Sequence, residues 1–499
     1  MLQDNPTIIA DTSSPPRRLV SASVCALAVV LGLLAAVMYA RADLTLSHYD
    51  ARAHLTVARR VVDSLTPGWR QFGGVWLPLP HLLNVVPAQW DWAYRTGAVA
   101  VAISVVVLAW GLTALAGFLY RETRSAAVAV AAPLAVLLNP NVLYLQSTPM
   151  TEPLLIGGAL LALAAVGDWL REPGRRLERR AGLVLAALVL IRYEGWLVAA
   201  ALLALAAIGL IARPATRRQA ARVLDLSLYP LVAIVLFLFL SWGSTGTWFQ
   251  RSGFFVPDNP TRGQLGATID VVWRSTLDLA GPWLIGTALA GALVSLWRAR
   301  RSPAPLLPLA LVAAALLPTL AFYQGHPHRV RYMVPLVAAA GALAGLAFAA
   351  LPARIRGVAG IALFAVVLSD RVPWSSEAPM VKEAQWETPY RLARQHVTAV
   401  LRDVHGGDPI LASMGSLGHY MQEAARAGFD LADFLHEGNG DLWTAALAAP
   451  RRHVRWILIE EQAEGGDMLA ARAREDREFL DGFTRVADGG GLVLYGRVD

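Results

Sequence analysis

The sequence predicts a mainly α-helical chain, a polytopic membrane domain of about eleven transmembrane helices followed by a small extracytoplasmic α/β domain. Three observations carry that expectation. Hydrophobic residues make up 56% of the 499 residues and charged residues only 16%, with a mean hydropathy of +0.46, a balance outside the soluble range. Apolar runs of spanning length recur as far as Asp370. Beyond it charge rises, the runs shorten, and Pro373, Pro379 and Pro389 mark a connecting stretch.

A helix needs about 20 apolar residues to cross the hydrocarbon layer. Candidate spans fall at 19–40, 93–119, 125–140, 151–169, 180–191, 195–212, 224–243, 278–298, 305–322, 331–351 and 354–369. The third, fifth and last are short. Arg17 and Arg18 precede the first span, which makes residues 1–18 a cytoplasmic tail at the inner (plasma) membrane and 41–92 the first outer loop. Alternation then places the arginine-bearing loops 121–124, 171–180, 213–222, 298–301 and 354–356 inside, and all 10 histidines outside. The first outer loop breaks the charge rule with Arg52, Arg59, Arg60 and Arg70, and an anionic ligand is a reason to hold cations there. Ala40-Arg41-Ala42 resembles a signal-peptidase site; a cleaved signal peptide is the alternative to a first span, against which stands an apolar stretch longer than a usual signal core.

The membrane domain is thus expected over 19–370 and the soluble domain over 371–499. In the latter, strands at 410–414, 454–460 and 491–495 alternate with helices at 417–426, 441–448 and 468–477, an α/β pattern. The segment Phe434-Leu435-His436-Glu437-Gly438-Asn439 puts titratable groups on a loop. The single cysteine, Cys25, forms no intrachain disulfide. The net charge of +7 comes from arginines in short clusters between spans, not from one basic face, which argues against nucleic acid as a partner.

Ionisable groups at a membrane interface are a functional-site hypothesis by default. The first outer loop opens with His48-Tyr49-Asp50-Ala51-Arg52-Ala53-His54. Ala51, Leu55, Ala58, Val62 and Leu65 repeat at helical spacing opposite Arg52, Thr56, Arg59 and Asp63, which predicts an amphipathic helix along the outer membrane surface with Asp50 at its N-cap. Capping and general-base chemistry stand as equal alternatives for Asp50. Glu152 opens the fourth span, where it either favours the positive helix end or meets a ligand. Arg192, Tyr193 and Glu194 interrupt an overlong apolar run; the two charges either neutralise one another or bind a ligand. Arg329 and Arg331 head a later span, and the guanidinium fork suits a phosphate or pyrophosphate. His326 and His328 are a weak metal signal, better read as surface histidines. No P-loop, dinucleotide fingerprint or nucleophile elbow occurs. Asp50, His54, His81, Glu152, Arg192, Glu194, Arg329 and Arg331 all fall on one membrane face by a topology fixed from other residues.

At these residues the chain resembles the GT-C superfamily of polytopic glycosyltransferases, and within it the family 39 branch of protein O-mannosyltransferases and lipid A aminoarabinose transferases. The resemblance covers about 19–370. Tyr49-Asp50 with His54 occupies the place of that family's acidic catalytic base, and Trp76-Leu77-Pro78-Leu79-Pro80-His81 is similar to its proline-bearing segment. Aminoarabinose-type members carry a basic residue before a Pro-Pro pair there, where this chain has Trp76 and Leu77, with His81 following. Pro149-Met150-Thr151-Glu152-Pro153, Arg192-Tyr193-Glu194-Gly195-Trp196 and Arg331-Tyr332-Met333-Val334-Pro335 are similar to further outer-face segments.

The resemblance implies a polyprenyl-phosphate sugar donor, an acceptor hydroxyl on a glycan, lipid or protein, and inversion at the anomeric carbon. Asp50 and Glu152 are then the catalytic pair, Asp50 as base. Tyr49, His54, Trp76, His81, Arg192, Tyr193, Glu194, Arg329, Arg331 and Tyr332 contact substrate, with Arg192, Arg329 and Arg331 on the leaving phosphate. Ala51 stands where the superfamily often has a second acid, so no metal ligand is assigned and a divalent metal (Mg or Mn) stays open. The alternative function is a transporter or flippase of a lipid-linked anionic substrate; it ranks second because the polar groups gather at one face and no internal repeat is visible.

Overall fold

The computed structural model describes residues 15–249 and 259–498; residues 1–14 of the expected tail lie outside it. The chain opens with α1 (Pro15–Arg41), α2 (Tyr49–Arg59), α3 (Leu79–Asn84) and α4 (Asp91–Thr96). The bundle continues through α5 (Ala98–Thr123), α6 (Ala126–Leu137), α7 (Pro140–Gln146), α8 (Glu152–Arg171), α9 (Arg175–Val189), α10 (Tyr193–Ile211) and α11 (Arg222–Thr245). After α12 (Leu265–Ala280) and α13 (Pro282–Arg298), a 3-10 stretch Ala304–Ala315 runs into α14 (Leu316–Tyr323). Next come α15 (Val334–Ala347), α16 (Ala353–Asp370) and the short α17 (Pro379–Glu383).

Among the described residues, 7 helices are long and apolar enough to cross a membrane, or 9 if each of two bent pairs forms one span. The expected spans 180–191 and 354–369 are helical but lie outside that count. The helix α9 has only 15 residues, and α16 carries Arg354, Arg356 and Asp370. The expected span 125–140 falls on α6 and α7, bent by 68°. The bend is local chemistry: Asn139 caps α7 by accepting from the Asn141 N–H at 3.0 Å, and Pro140 has no N–H to continue α6. The expected span 278–298 is corrected more strongly. Gly281 adopts φ +82° and Pro282 restarts the helix at 109° to α12, so α12 is a separate amphipathic element that Asp270, Arg274 and Asp278 hid from hydropathy.

Close approach of α5 and α8 depends on glycine facing glycine, since a Cβ at Gly111 would sit 2.5 Å from the Gly157 Cα. The arginine-bearing loops converge at one end of the bundle. Arg121 pairs with Asp168, Arg171 with Glu122, and Arg222 with Glu178 at 2.8 Å. Arg298 donates to the Glu122 carbonyl at 2.6 Å, and Arg213 and Arg356 donate to the Ala299 and Thr123 carbonyls.

The C-terminal domain begins with α18 (Arg391–Val404) and builds one five-stranded sheet. Its strands are β1 (Ile410–Ala412), β2 (Phe434–Leu435), β3 (Trp456–Glu460), β4 (Phe483–Gly489) and β5 (Leu492–Arg497), in the order β2-β1-β3-β5-β4. The first three are parallel and the last two pair antiparallel. Alternate residues serve opposite faces: Ile410 and Ala412 join one apolar core and Leu411 the other. The three expected strands and the helices at 441–448 and 468–477 are present, the expected helix 417–426 is broken between Leu417 and Met421, and β2 and β4 were not anticipated. A two-residue strand has no alternation to read, and β4 exposes Thr484, Arg485 and Val486 at the sheet edge.

Candidate active site

Helix α2 differs from its expected form. It ends at Arg59 rather than near Leu65, because Arg59 ties back to Asp63 at 2.8 Å and to Asp91 at 2.6 Å and the chain turns there. It is not laid on a lipid surface. Leu55 is buried with Tyr94, Ala100 and Ala425 of the C-terminal domain, and Ala51 belongs to the membrane core. The N-cap is His48, not Asp50: the His48 Nδ1 accepts from the Asp50 N–H at 3.1 Å. The Asp50 carboxylate is therefore released from capping.

That carboxylate pairs instead with Arg331. Arg331 enters from the segment preceding α15 and is 6% exposed, against 7% for Asp50. Its Nε lies 3.8 Å from Glu152 Oε1. Glu152 begins α8 with 0% exposure and accepts from Arg192 Nη1 at 3.0 Å. Arg192, just before α10, also donates to Glu194 Oε1 at 2.7 Å and to Thr151 Oγ1 at 2.9 Å. The neutralisation expected of the 192–194 pair is present, and Arg192 extends it to Glu152. Four helix starts, those of α2, α8, α10 and α15, deliver these charges to one place. Tyr49 and Tyr332 wall it, with the Arg331 guanidinium 5.7 Å and 5.0 Å from their ring centres.

Charge is not fully paired there. Glu152 Oε2 and Arg331 Nε are buried with no hydrogen-bond partner, which is costly for groups of this kind and typical of sites that await a ligand. Further along α8, α10 and α15 the surroundings turn apolar, with Leu155, Ile156, Val198, Leu311, Pro335 and Ala338 around a void of about 10 Å³. Leu155, Val198 and Pro335 each follow a site residue by about one helical turn.

The remaining sequence-predicted residues sit apart. His54 Nδ1 meets His81 Nε2 at 3.0 Å, with the Trp76 ring 4.2 Å from His54. Burial pushes both imidazoles well below their usual range, His81 to about 3. They form a neutral packed pair one turn beyond Asp50. Tyr193 packs against Trp196 and Phe237, its hydroxyl 3.5 Å from the Gly74 carbonyl. Arg329 pairs with Glu464 of the C-terminal domain and lies 5.2 Å over Trp386. Two partners escaped the sequence reading. His48 stood in the quoted motif with no signal for a cap, and Glu383, on α17, accepts from the Val330 N–H at 2.6 Å.

A second buried network joins α2 to the C-terminal domain. Arg52 pairs with Glu387, and Arg394 pairs with Glu460 and lies 3.0 Å from His419 Nε2. Burial, only partly offset by Arg394, lifts the Glu460 carboxyl to about 7. As to metal, no three His, Cys, Asp or Glu side chains converge among the described residues. Asp50 and Glu152 share a guanidinium, a donor set that does not suit a divalent cation.

No family model and no curated protein matches the chain. Solved structures do. ArnT from Cupriavidus metallidurans bound to undecaprenyl phosphate superposes with a TM-score of 0.57 over 94% of this chain and 98% of that one, at 17% identity. Its apo state gives 0.56 over the same shares at 17% identity. The archaeal oligosaccharyltransferase AglB from Archaeoglobus fulgidus, in complex with an inhibitory peptide and a dolichol-phosphate, gives 0.52 over 89% of this chain and 70% of that one, at 12% identity. The chain therefore has the GT-C fold, a multi-pass helical membrane domain with a small C-terminal domain.

Proposed function

We propose that this protein is a membrane glycosyltransferase that moves a sugar from a polyprenyl-phosphate donor to an acceptor hydroxyl, with inversion. The observation that carries the reading is the buried carboxylate–guanidinium cluster at the ends of four helices, one helical turn from wholly apolar side chains such as Leu155, Val198 and Pro335. A lipid-linked phosphate sugar has that same division: an anionic head and a hydrocarbon tail. The undecaprenyl phosphate of ArnT and the dolichol-phosphate of AglB support it as the donor class.

The chemistry follows from charge. Arg331, and beside it Arg192, meet the donor phosphate. A phosphate competes with Asp50 for Arg331, so donor binding draws the guanidinium away and uncovers the carboxylate. Asp50 then takes the proton of the acceptor hydroxyl as its oxygen attacks the anomeric carbon from the face opposite the phosphate. The bond to the phosphate oxygen breaks, its electron pair stays on the phosphate, and the arginines stabilise that charge. Phosphate leaves without a general acid. Glu152 Oε2, unpartnered, orients a sugar or acceptor hydroxyl. The polar cluster sits at helix ends rather than mid-span, which separates this reading from a transporter.

The orientation is proposed on the arginine-rich end as cytoplasmic, with the site and the C-terminal domain extracytoplasmic at the plasma membrane. Single cysteines introduced at Arg180 and at Glu461 in a Cys25→Ser chain should label with an impermeant maleimide from opposite sides; the reverse pattern inverts the assignment. For the reaction itself, Asp50→Asn should fold, retain a polyprenyl-phosphate sugar and lose about 10²–10⁴-fold in transfer. Turnover at the wild-type rate would sink the role of Asp50.

A further inference from the structure

The short helix α17 belongs to the stretch between the membrane helices and the C-terminal sheet, yet it is pinned against the site. The Met380 N–H donates to Asn141 Oδ1 at 3.0 Å, and Ser47 Oγ donates to the Ala384 carbonyl at 2.8 Å. These bonds present Glu383 to two groups. Its Oε2 accepts from the Val330 N–H at 2.6 Å, next to Arg331. Its Oε1 lies 3.8 Å from His48 Nε2 and, although buried, accepts no hydrogen bond.

His48 is 0% exposed and has three claimants. A neutral imidazole offers one lone pair and one N–H. The Asp50 backbone N–H can only donate, so at 3.1 Å it requires the lone pair at Nδ1. Arg331 Nη1, 3.3 Å from Nε2, can also only donate and would require the lone pair there instead. The two demands are incompatible. Only Glu383 faces Nε2 with an acceptor, and an acceptor at that distance favours the tautomer with the proton on Nε2 and the lone pair on Nδ1.

We propose that Glu383 is a positioning residue: its carboxylate holds His48 in the tautomer whose Nδ1 caps the helix carrying Asp50, and so fixes where the base stands. One residue thereby ties both walls of the site, α2 through His48 and the Arg331 segment through Val330. The link to turnover rests on the glycosyltransferase reading; the tautomer assignment does not.

Glu383→Gln separates the two functions. A glutamine has one acceptor oxygen, which the Val330 N–H retains, and its amide donors then face Nε2. Arg331 and the amide together draw the lone pair to Nε2, and Nδ1–H is driven against the Asp50 N–H. The full-length protein, labelled with ¹⁵N-histidine in lipid nanodiscs, should show His48 protonated on Nε2 in the wild type and on Nδ1 in Glu383→Gln, the resonance being assigned by its loss in His48→Asn. In transfer assays with a polyprenyl-phosphate sugar, Glu383→Gln should lower kcat about tenfold or more with KM for the donor unchanged. An asparagine cap accepts through its carbonyl and has no tautomer to control, so in a His48→Asn background the same Glu383→Gln change should cost under about twofold in kcat. An unchanged His48 signal in Glu383→Gln, or equal kcat losses in both backgrounds, overturns the proposal. A shifted signal in a chain that shows no transfer under any condition keeps it and removes the enzymatic reading.

Discussion

The helical bundle carries an ionic cluster at each end, and they are built on opposite principles. At the arginine-rich end, Asp168 is shared by Arg121, Arg171 and Arg180, and Glu122 by Arg171 and Arg298. Cations outnumber anions, and Arg180 is half exposed. At the other end, Asp50, Glu152 and Glu194 outnumber Arg331 and Arg192, burial is nearly complete, and a carboxylate oxygen of Glu152 has no partner. An excess of cations over acids suits loops that staple helices to one another. An excess of buried acids over cations leaves carboxylate oxygens free to accept a proton or a donated hydrogen bond. The contrast teaches that ion pairs alone identify neither end; the ratio of acids to cations and the depth of burial do.

The sharpest way to break the comparison is to remove the shared cation of the site. Arg331→Met strands Asp50 in a buried setting, leaving Glu152 to Arg192, and should cost about 3–5 kcal/mol in detergent unfolding, together with donor affinity. If that variant is as stable as the wild type, the cluster is no tighter than the loops opposite. Glu152→Gln keeps an oxygen for Arg192 but loses the second acidic acceptor; transfer should fall about 10²-fold with little change in unfolding midpoint. Full activity in that variant would return Glu152 to a role at the helix end.

A pH scan tests the neighbouring imidazoles. His54 and His81 are held neutral in the folded chain, with protonation displaced below the ordinary histidine value. The unfolded chain binds protons first as pH falls, so stability is present above about pH 6.5 and drops below it by about 1.4 kcal/mol per pH unit for each histidine. Melting curves of the wild type and of His81→Gln between pH 7 and 5 should diverge in slope, and parallel curves would contradict the neutral pair. The smallest effect belongs to the opposite end: Arg180→Ala should change stability by at most about 1 kcal/mol and leave transfer untouched. A large loss there would erase the distinction between the two clusters.

Much of this was legible in the sequence, and what was not has physical reasons. The arginine loops announced one end of the bundle because each follows an apolar run of countable length. Asp50, Glu152, Arg192 and Arg331 were legible for the same reason, as charges abutting such runs. The exact cap was not: His48 and Asp50 both accept backbone N–H groups, and only the helix start at Tyr49 decides between them. His54 and His81 lie 27 positions apart and no spacing rule joins them. Glu383 sits in a stretch without periodicity and reaches its partners only because the chain returns to where it began. The α12 helix was hidden by its own charges, which hydropathy counts against a span.

That return has a consequence for how the protein is made. His48 and Arg331 are separated by 283 positions, and Arg52 and Glu387 by 335. At a synthesis rate of about 5–20 residues per second, Asp50 waits roughly 15–60 s for its cation. During that interval its carboxylate is without its cation, whereas Glu152 and Glu194 have Arg192 as soon as α10 is made. The site thus closes late in biogenesis, once the segment preceding α15 supplies Arg331 to Asp50 and the C-terminal stretch supplies Glu387 to Arg52.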